Sequence, residues 1–107
     1  MRRIYRYEGG RTVGCLEWDE RPGATYELHL DVEPAYQRQG IGRSMVEELE
    51  SFARAQGGMC LYTFMAADNE KARAFFLAMG FTLIYIPSFY GEGRDARFGC
   101  KPIGAPK

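Results

Sequence analysis

The fold is decided by one stretch of the sequence, Val32-Glu33-Pro34-Ala35-Tyr36-Gln37-Arg38-Gln39-Gly40-Ile41-Gly42-Arg43-Ser44. Before it, apolar and polar residues alternate from 26 to 33, which predicts a strand that is ended by Pro34. After it, apolar residues recur at helical spacing from Ile41 onward. Segment 37–44 therefore joins a strand to the first turn of a helix, where backbone N–H groups can converge on an anion.

Glycine at positions 40 and 42 is expected to let a phosphate approach these amides, and Arg38 and Arg43 add positive charge. The alternative is an ordinary strand-to-helix turn. The segment is not a dinucleotide fingerprint, because it follows the third strand and Met45 stands where a third glycine is needed. It is not a Walker A motif either, because Gly-Lys-Ser/Thr is absent from the sequence.

The rest of the chain divides into short elements. A hairpin is predicted over 3–8 and 12–18, and a buried strand over 59–66 is reached from the third strand by a parallel crossover. Asp68 is expected to cap a second helix, and strands follow at 81–86 and 96–100. We therefore predict one α/β domain over 1–107, a mixed, mostly antiparallel sheet with a central parallel βαβ unit in the order β-β-β-α-β-α-β-β.

Composition excludes several classes of protein. With 107 residues, 46% of them hydrophobic, the chain can form one soluble domain. Fourteen Lys and Arg balance fourteen Asp and Glu, so neither nucleic acid nor an anionic membrane is an expected partner. Three widely spaced cysteines and no long apolar run indicate a reducing cytoplasm, and a single His29 makes a metal site unexpected.

Two motifs resemble the GNAT superfamily of acetyl-CoA-dependent N-acetyltransferases. The first is the 32–42 segment, and the second is Asn69, Ala72, Phe75, Phe76, Gly80 and Phe81. The resemblance implies a bulged third strand that splays from the next strand, with pantetheine in the gap. It implies that Leu30, Asp31 and Val32 supply backbone groups to pantetheine and that Asn69 lies near the pantetheine arm. It places the pyrophosphate on Arg38, Gln39, Gly40, Ile41, Gly42, Arg43 and Ser44.

The sequence matches the family less fully at the residues that would perform acetyl transfer than at the cofactor motif. Glu27 is the candidate base and Tyr90 the candidate acid, whereas Phe76 and Leu77 replace a Tyr and a Glu that related enzymes keep. The alternative for Glu27, His29 and Asp31 is that they only form the solvent-exposed face of a half-buried strand. The alternative for Phe89 and Tyr90 is that they only cover an exposed sheet edge. Phe75, Phe76 and Met79 are expected to be core residues.

The resemblance implies direct transfer of acetyl from acetyl-CoA to a primary amine of a small molecule, a protein N-terminus or a lysine. The tail from Tyr90 to Ala96, ending in Lys101-Pro102-Ile103, resembles the subgroup that acetylates protein N-termini, including ribosomal-protein alanine acetyltransferases. The rival hypothesis is a non-catalytic acyl-CoA-binding or partner-binding module of the same fold.

The family normally begins with a strand and two helices that shape the acceptor side, and this sequence begins at the next hairpin. We therefore expect an incomplete or differently built acceptor pocket. We also expect a homodimer, because both helices should cover one sheet face while Leu16, Trp18 and the strand over 59–66 leave apolar surface elsewhere.

Overall fold

The structure is a computed structural model that describes residues 1–104. Its element order matches the predicted one, with a short 3₁₀ turn at Pro34–Tyr36 before the first helix. The strands are β1 (Arg2–Glu8), β2 (Arg11–Arg21), β3 (Thr25–Val32), β4 (Cys60–Ala66), β5 (Thr82–Ile86) and β6 (Ala96–Pro102). The helices are α1 (Ile41–Ala55) and α2 (Glu70–Ala78).

The strands form one six-stranded sheet in the order β1-β2-β3-β4-β6-β5. Only β3 and β4 are parallel, so the central βαβ unit and the mixed sheet are confirmed. The first hairpin turns at Gly9 and Gly10, whose φ angles of 56° and 78° require residues without a Cβ penalty. The bulge expected in the third strand is absent from β3 as the structure describes it, because its pairing with β2 is regular. A register shift lies instead in the first hairpin, between Arg6 and Tyr7 of β1.

β3 and β4 are paired over a short distance only. Thr25, Tyr26 and Glu27 lie opposite Cys60, Leu61 and Tyr62, and the pairing then stops. We call the gap between residues 28–32 of β3 and residues 63–66 of β4 the fork. It is the separation of strands that the resemblance implies.

Both helices pack on the same face of the sheet, where Leu16, Leu28, Leu49 and Phe76 belong to one core cluster. Trp18 is also buried there, with its ring 5.1 Å from the Phe52 ring of α1. The expectation that Leu16 and Trp18 leave apolar surface is therefore wrong.

One charged residue of α1 lies on its inner side. Glu50 is 7% exposed, whereas Glu47 and Glu48 of the same helix are exposed to solvent. Its carboxylate accepts a hydrogen bond from Lys101 Nζ at 3.0 Å and pairs with Arg54 at 2.7 Å. Because these two cations compensate the carboxylate, the helix can bury it against β6.

The sheet side away from the helices, which we call the open face, has two different halves. Over β2 and β3 it presents charged residues such as Glu17, Glu27 and His29. Over β4, β5 and β6 it presents a row of rings, with Tyr62 5.7 Å and Phe64 5.1 Å from Phe98. The apolar surface expected from the strand over 59–66 is therefore present on this face.

Two element boundaries differ from the predicted ones. α2 is capped by Asn69 rather than Asp68, because the Asn69 side chain accepts the Ala72 N–H at 3.0 Å. β5 begins at Thr82 because Phe81 turns into the core, and β6 continues to Pro102. In the part of the chain that the structure describes, neither helix is long and apolar enough to cross a membrane.

Candidate functional site

A cavity of about 620 Å³ opens between the end of β3, the start of α1 and one side of α2. Eight of the eleven predicted cofactor-binding residues line it: Leu30, Asp31, Val32, Arg38, Gly40, Gly42, Arg43 and Asn69. The β3 side of the fork and the loop before α1 thus line one space, although they come from different elements.

The loop before α1 exposes a run of backbone N–H groups. Arg38 and Gly40 have φ angles of 65° and 80°, and the first helical bond runs from the Ser44 N–H to the Gly40 carbonyl at 2.9 Å. Within residues 1–104, the N–H groups of 38–43 donate to no other backbone group. α1 has no acidic residue in its first turn, so its N-terminus favours an anion.

Three cations surround this helix end. Arg38 and Arg43 were predicted, and the Arg43 side chain is 55% exposed with Glu47 at 4.0 Å as its ion-pair partner. Lys71 lines the cavity from the α2 side and was missed. Its signal in the sequence is a lysine in the first turn of a helix, where cations are unfavourable unless an anion is nearby.

Gln39, Ile41 and Ser44 do not line the cavity. The Gln39 amide donates to the Ala35 carbonyl at 3.3 Å, and the Ser44 hydroxyl donates to the Ile41 carbonyl at 2.8 Å. The Ser44 oxygen also accepts from Arg6 Nε at 3.1 Å. These contacts hold the loop and the first turn of α1 in place, so the side chains act on the shape of the site.

Gly42 is required for a different reason from the one expected. A Cβ at this position would lie 3.1 Å from the Phe75 ring and 3.3 Å from Leu30, so α1 packs closely on α2 and β3 here. Gly40 has open space around it, and its positive φ is what favours glycine. Close packing at Gly42 and the positive φ at Gly40 therefore require glycine whether or not a phosphate binds there.

The strand alternation decides which backbone groups face the fork. The Leu28 carbonyl accepts a hydrogen bond from the Thr63 hydroxyl of β4 at 2.7 Å, so it points into the fork. Because directions alternate along a strand, Leu30 and Val32 point the same way and Asp31 points toward β2. The Val32 carbonyl already accepts from the Gln37 side chain at 3.0 Å, a contact missed in the sequence.

Glu27 lies on the open face at the closed end of the fork. Its carboxylate pairs with Arg21 Nε at 3.1 Å and lies 3.6 Å from His29 Nε2, and its side chain is 18% exposed. Tyr62 is its register partner on β4. Burial, and then the Glu27 charge, raises the pKa of Tyr62, so this phenol stays protonated.

Tyr90 lies in a second cavity of about 550 Å³, beside Asp68, Tyr85 and Arg94. Neither Tyr90 nor Glu27 lines the first cavity. Phe89 stacks on Phe64 of the open face at 4.8 Å, and the Tyr90 ring is 5.1 Å from Phe89. Rings of Tyr62, Phe64 and Phe89 therefore lie between Glu27 and Tyr90, and Phe89 covers part of the open face.

Asp95 holds the loop that contains Tyr90. Its carboxylate accepts hydrogen bonds from the Tyr85 hydroxyl and from the Ser88 N–H at 2.7 Å. The Tyr85 bond, and then the Ser88 bond, lowers the pKa of Asp95 below its usual range. The same contact with Asp95 raises the pKa of Tyr85.

We expect the loop anchor to weaken at acidic pH. A carboxyl whose folded pKa is lowered stabilises the fold fully above about pH 4, and this contribution is lost as the pH falls through the folded pKa. The Ser88 amide resonance should report the loss in an NMR titration, and Asp95→Asn should abolish the step. A Ser88 resonance that titrates equally in Asp95→Asn contradicts this anchor.

Phe76 and Leu77, which stand where related enzymes keep a Tyr and a Glu, differ in burial. Phe76 is buried, with its ring 5.0 Å from those of Phe75 and Phe81. Leu77 is 46% exposed on the outer side of α2. Phe76 and Met79 are core residues as predicted, Phe75 is half-buried, and all three line the cavity.

Comparison with known proteins agrees with this geometry. Residues 2–81 match the model of the acetyltransferase (GNAT) family. The chain is 39% identical over 110 residues to the N-alpha-acetyltransferase RimI of Mycobacterium tuberculosis, covering 94% of this chain and 68% of that protein. It spans 27% to 47% of the length of other curated relatives.

Two solved structures have the same fold. The ribosomal-protein-S18-alanine N-acetyltransferase of Escherichia coli superposes with a TM-score of 0.82 at 23% identity, over 98% of this chain and 70% of that one. An aminoglycoside 6′-N-acetyltransferase complexed with coenzyme A gives a TM-score of 0.82 at 18% identity, over 98% and 73% of the two chains. The chain belongs to the acetyltransferase (GNAT) family.

Proposed function

We propose that this domain binds acetyl-CoA and transfers its acetyl group directly to a primary amine. The observation behind the proposal is that the β3 side of the fork and the N-terminus of α1 line one cavity. An anion site and a strand-shaped gap, side by side, suit a ligand with a pyrophosphate and an amide-containing arm. The solved relative with coenzyme A supports this choice of ligand.

Different residues of the chain bind the cofactor and transfer protons in this proposal. The amides of 40–43, with Arg38 and Arg43, hold the pyrophosphate, while backbone groups of Leu30 and Val32 pair with the pantetheine arm. Acetyl-CoA supplies an acetyl group activated as a thioester. Glu27 accepts the proton that the amine loses as its nitrogen bonds to the acetyl carbon. Tyr90 donates a proton to the sulfur as the C–S bond breaks.

The relatives indicate which acceptors to test first. The E. coli structure is named for alanine of ribosomal protein S18, and the aminoglycoside enzyme for a small amine. We propose a protein N-terminus, a lysine or a small amine as the acceptor, and the cytoplasm as the location. The experiment is a transfer assay with acetyl-CoA and a panel of peptides and amines, in which turnover with any acceptor supports the proposal.

The rival function is an acyl-CoA-binding module without catalysis. Phe76 favours it, because the place of the usual acid is filled by a ring packed in the core. Binding of acetyl-CoA with no turnover on the whole panel would support this rival.

We also propose that the domain acts as a homodimer through the open face. Ile84 is 52% exposed beside Phe98, and Phe64 and Phe89 continue the apolar surface. A two-fold dimer would cover these rings and add a wall beside Glu27.

Light scattering at micromolar concentration should give about twice the 12.2 kDa of one chain. Ile84→Glu should halve the measured mass, because it places a charge in the buried contact. Leu77→Glu changes a leucine of 46% exposure on the opposite side of the molecule and should leave the dimer intact. A monomeric wild-type protein contradicts the proposal.

A further inference from the structure

Thr63 is the polar residue that stands at the closed end of the fork. Its neighbours of the same face, Leu61 and Met65, are core residues, and Thr63 itself is 3% exposed. Its hydroxyl donates to the Leu28 carbonyl at 2.7 Å. A threonine that is buried at this depth is held there by that hydrogen bond.

The hydrogen bond from the Thr63 hydroxyl replaces one backbone hydrogen bond between β3 and β4. The last parallel pair is Glu27 with Tyr62, so continued pairing in this register would place a backbone N–H of β4 on the Leu28 carbonyl. That carbonyl is satisfied by a side chain instead. The two strands can therefore separate at this point without leaving a buried acceptor unpaired.

We propose that Thr63 is a positioning residue that keeps the fork open and so sets how far a pantetheine arm can enter. This inference rests on the proposed function. The neighbouring backbone groups of Leu30 and the Val32 N–H point into the gap beyond Thr63, on the same edge as the Leu28 carbonyl. Without the hydroxyl, the free carbonyl pairs with β4, and the gap shortens from its closed end.

The test is Thr63→Val, which keeps the shape of the side chain and removes the donor. Calorimetry compares acetyl-CoA with the nucleotide part of CoA, which lacks the pantetheine arm. We expect the variant to bind acetyl-CoA about tenfold more weakly, the effect of one buried hydrogen bond, and to bind the nucleotide part as wild type does. Thr63→Ser keeps the hydroxyl and should restore binding of acetyl-CoA.

Thr82→Val is the matched control, because it makes the same change at an exposed position of β5. It should bind both ligands as wild type does. If Thr63→Val lowers the affinity for both ligands equally, the variant has lost structure in general and the inference is overturned. An unchanged affinity for acetyl-CoA overturns it as well. A wild-type protein that binds neither ligand overturns the proposed function, and this inference falls with it.

Discussion

Gly42→Glu is expected to abolish binding of acetyl-CoA. The new carboxylate would stand in the first turn of α1, where the helix end and the N–H groups of 38–43 favour a negative ligand. The side chain would also be forced toward the Phe75 ring. Calorimetry measures the loss, and circular dichroism shows whether the variant is folded.

Because Gly42→Glu also disturbs packing, Arg43→Glu tests the electrostatic part alone. Arg43 is largely exposed and its reversal changes charge without filling the core, so we expect binding to weaken about tenfold or more. Arg73→Glu is the control, since Arg73 is an exposed arginine of α2 that does not line the cavity. A wild-type protein that gives no signal with millimolar acetyl-CoA contradicts the anion site and the proposed function together.

Tyr90→Phe is expected to lower kcat by about 100-fold while affinity for acetyl-CoA stays nearly unchanged. The expectation follows from the proposed proton donation to the leaving sulfur. Affinity should be retained because Tyr90 does not line the first cavity, where the proposed pyrophosphate and pantetheine contacts lie. Rates must be measured under conditions in which chemistry limits turnover.

Tyr5→Phe is the matched control for this measurement. Tyr5 is 42% exposed and Tyr90 is 41% exposed, so the same atom is removed from a similar environment on the distant edge strand β1. The control should keep the wild-type kcat. An unchanged kcat in Tyr90→Phe excludes Tyr90 as the acid.

The order of elements was predictable because local patterns and long-range topology agree. Alternation over 26–33, helical spacing from Ile41 and an apolar strand over 59–66 each point to the element that forms. The burial of the Glu50 carboxylate was not predictable, because its partner Lys101 lies on β6 and is distant in the sequence. Burial of a charge depends on a contact that helical periodicity does not describe.

The residues that line the first cavity were largely predictable, and the positions of the two candidate catalytic residues were not. Segment 37–44 forms the loop and the start of α1 from local sequence alone, so its residue spacing was enough to predict that geometry. Thr63 could have been noticed as a hydroxyl in an otherwise apolar strand, although its carbonyl partner Leu28 depends on the register of β3 and β4. The separation of Glu27 from Tyr90 depends on how the loop before β6 packs, through Phe89 on Phe64.

β6 follows β5 in the chain but lies between β4 and β5 in the sheet. During synthesis, β4 and β5 therefore emerge before the strand that joins them, and each has a free edge in the meantime. A nascent chain that ends before residue 96 can form the β1–β3 meander but cannot complete the sheet. Completion of the sheet must then wait for residues 96–102 to leave the exit tunnel, and until that point the free edges of β4 and β5 can pair with the wrong strand.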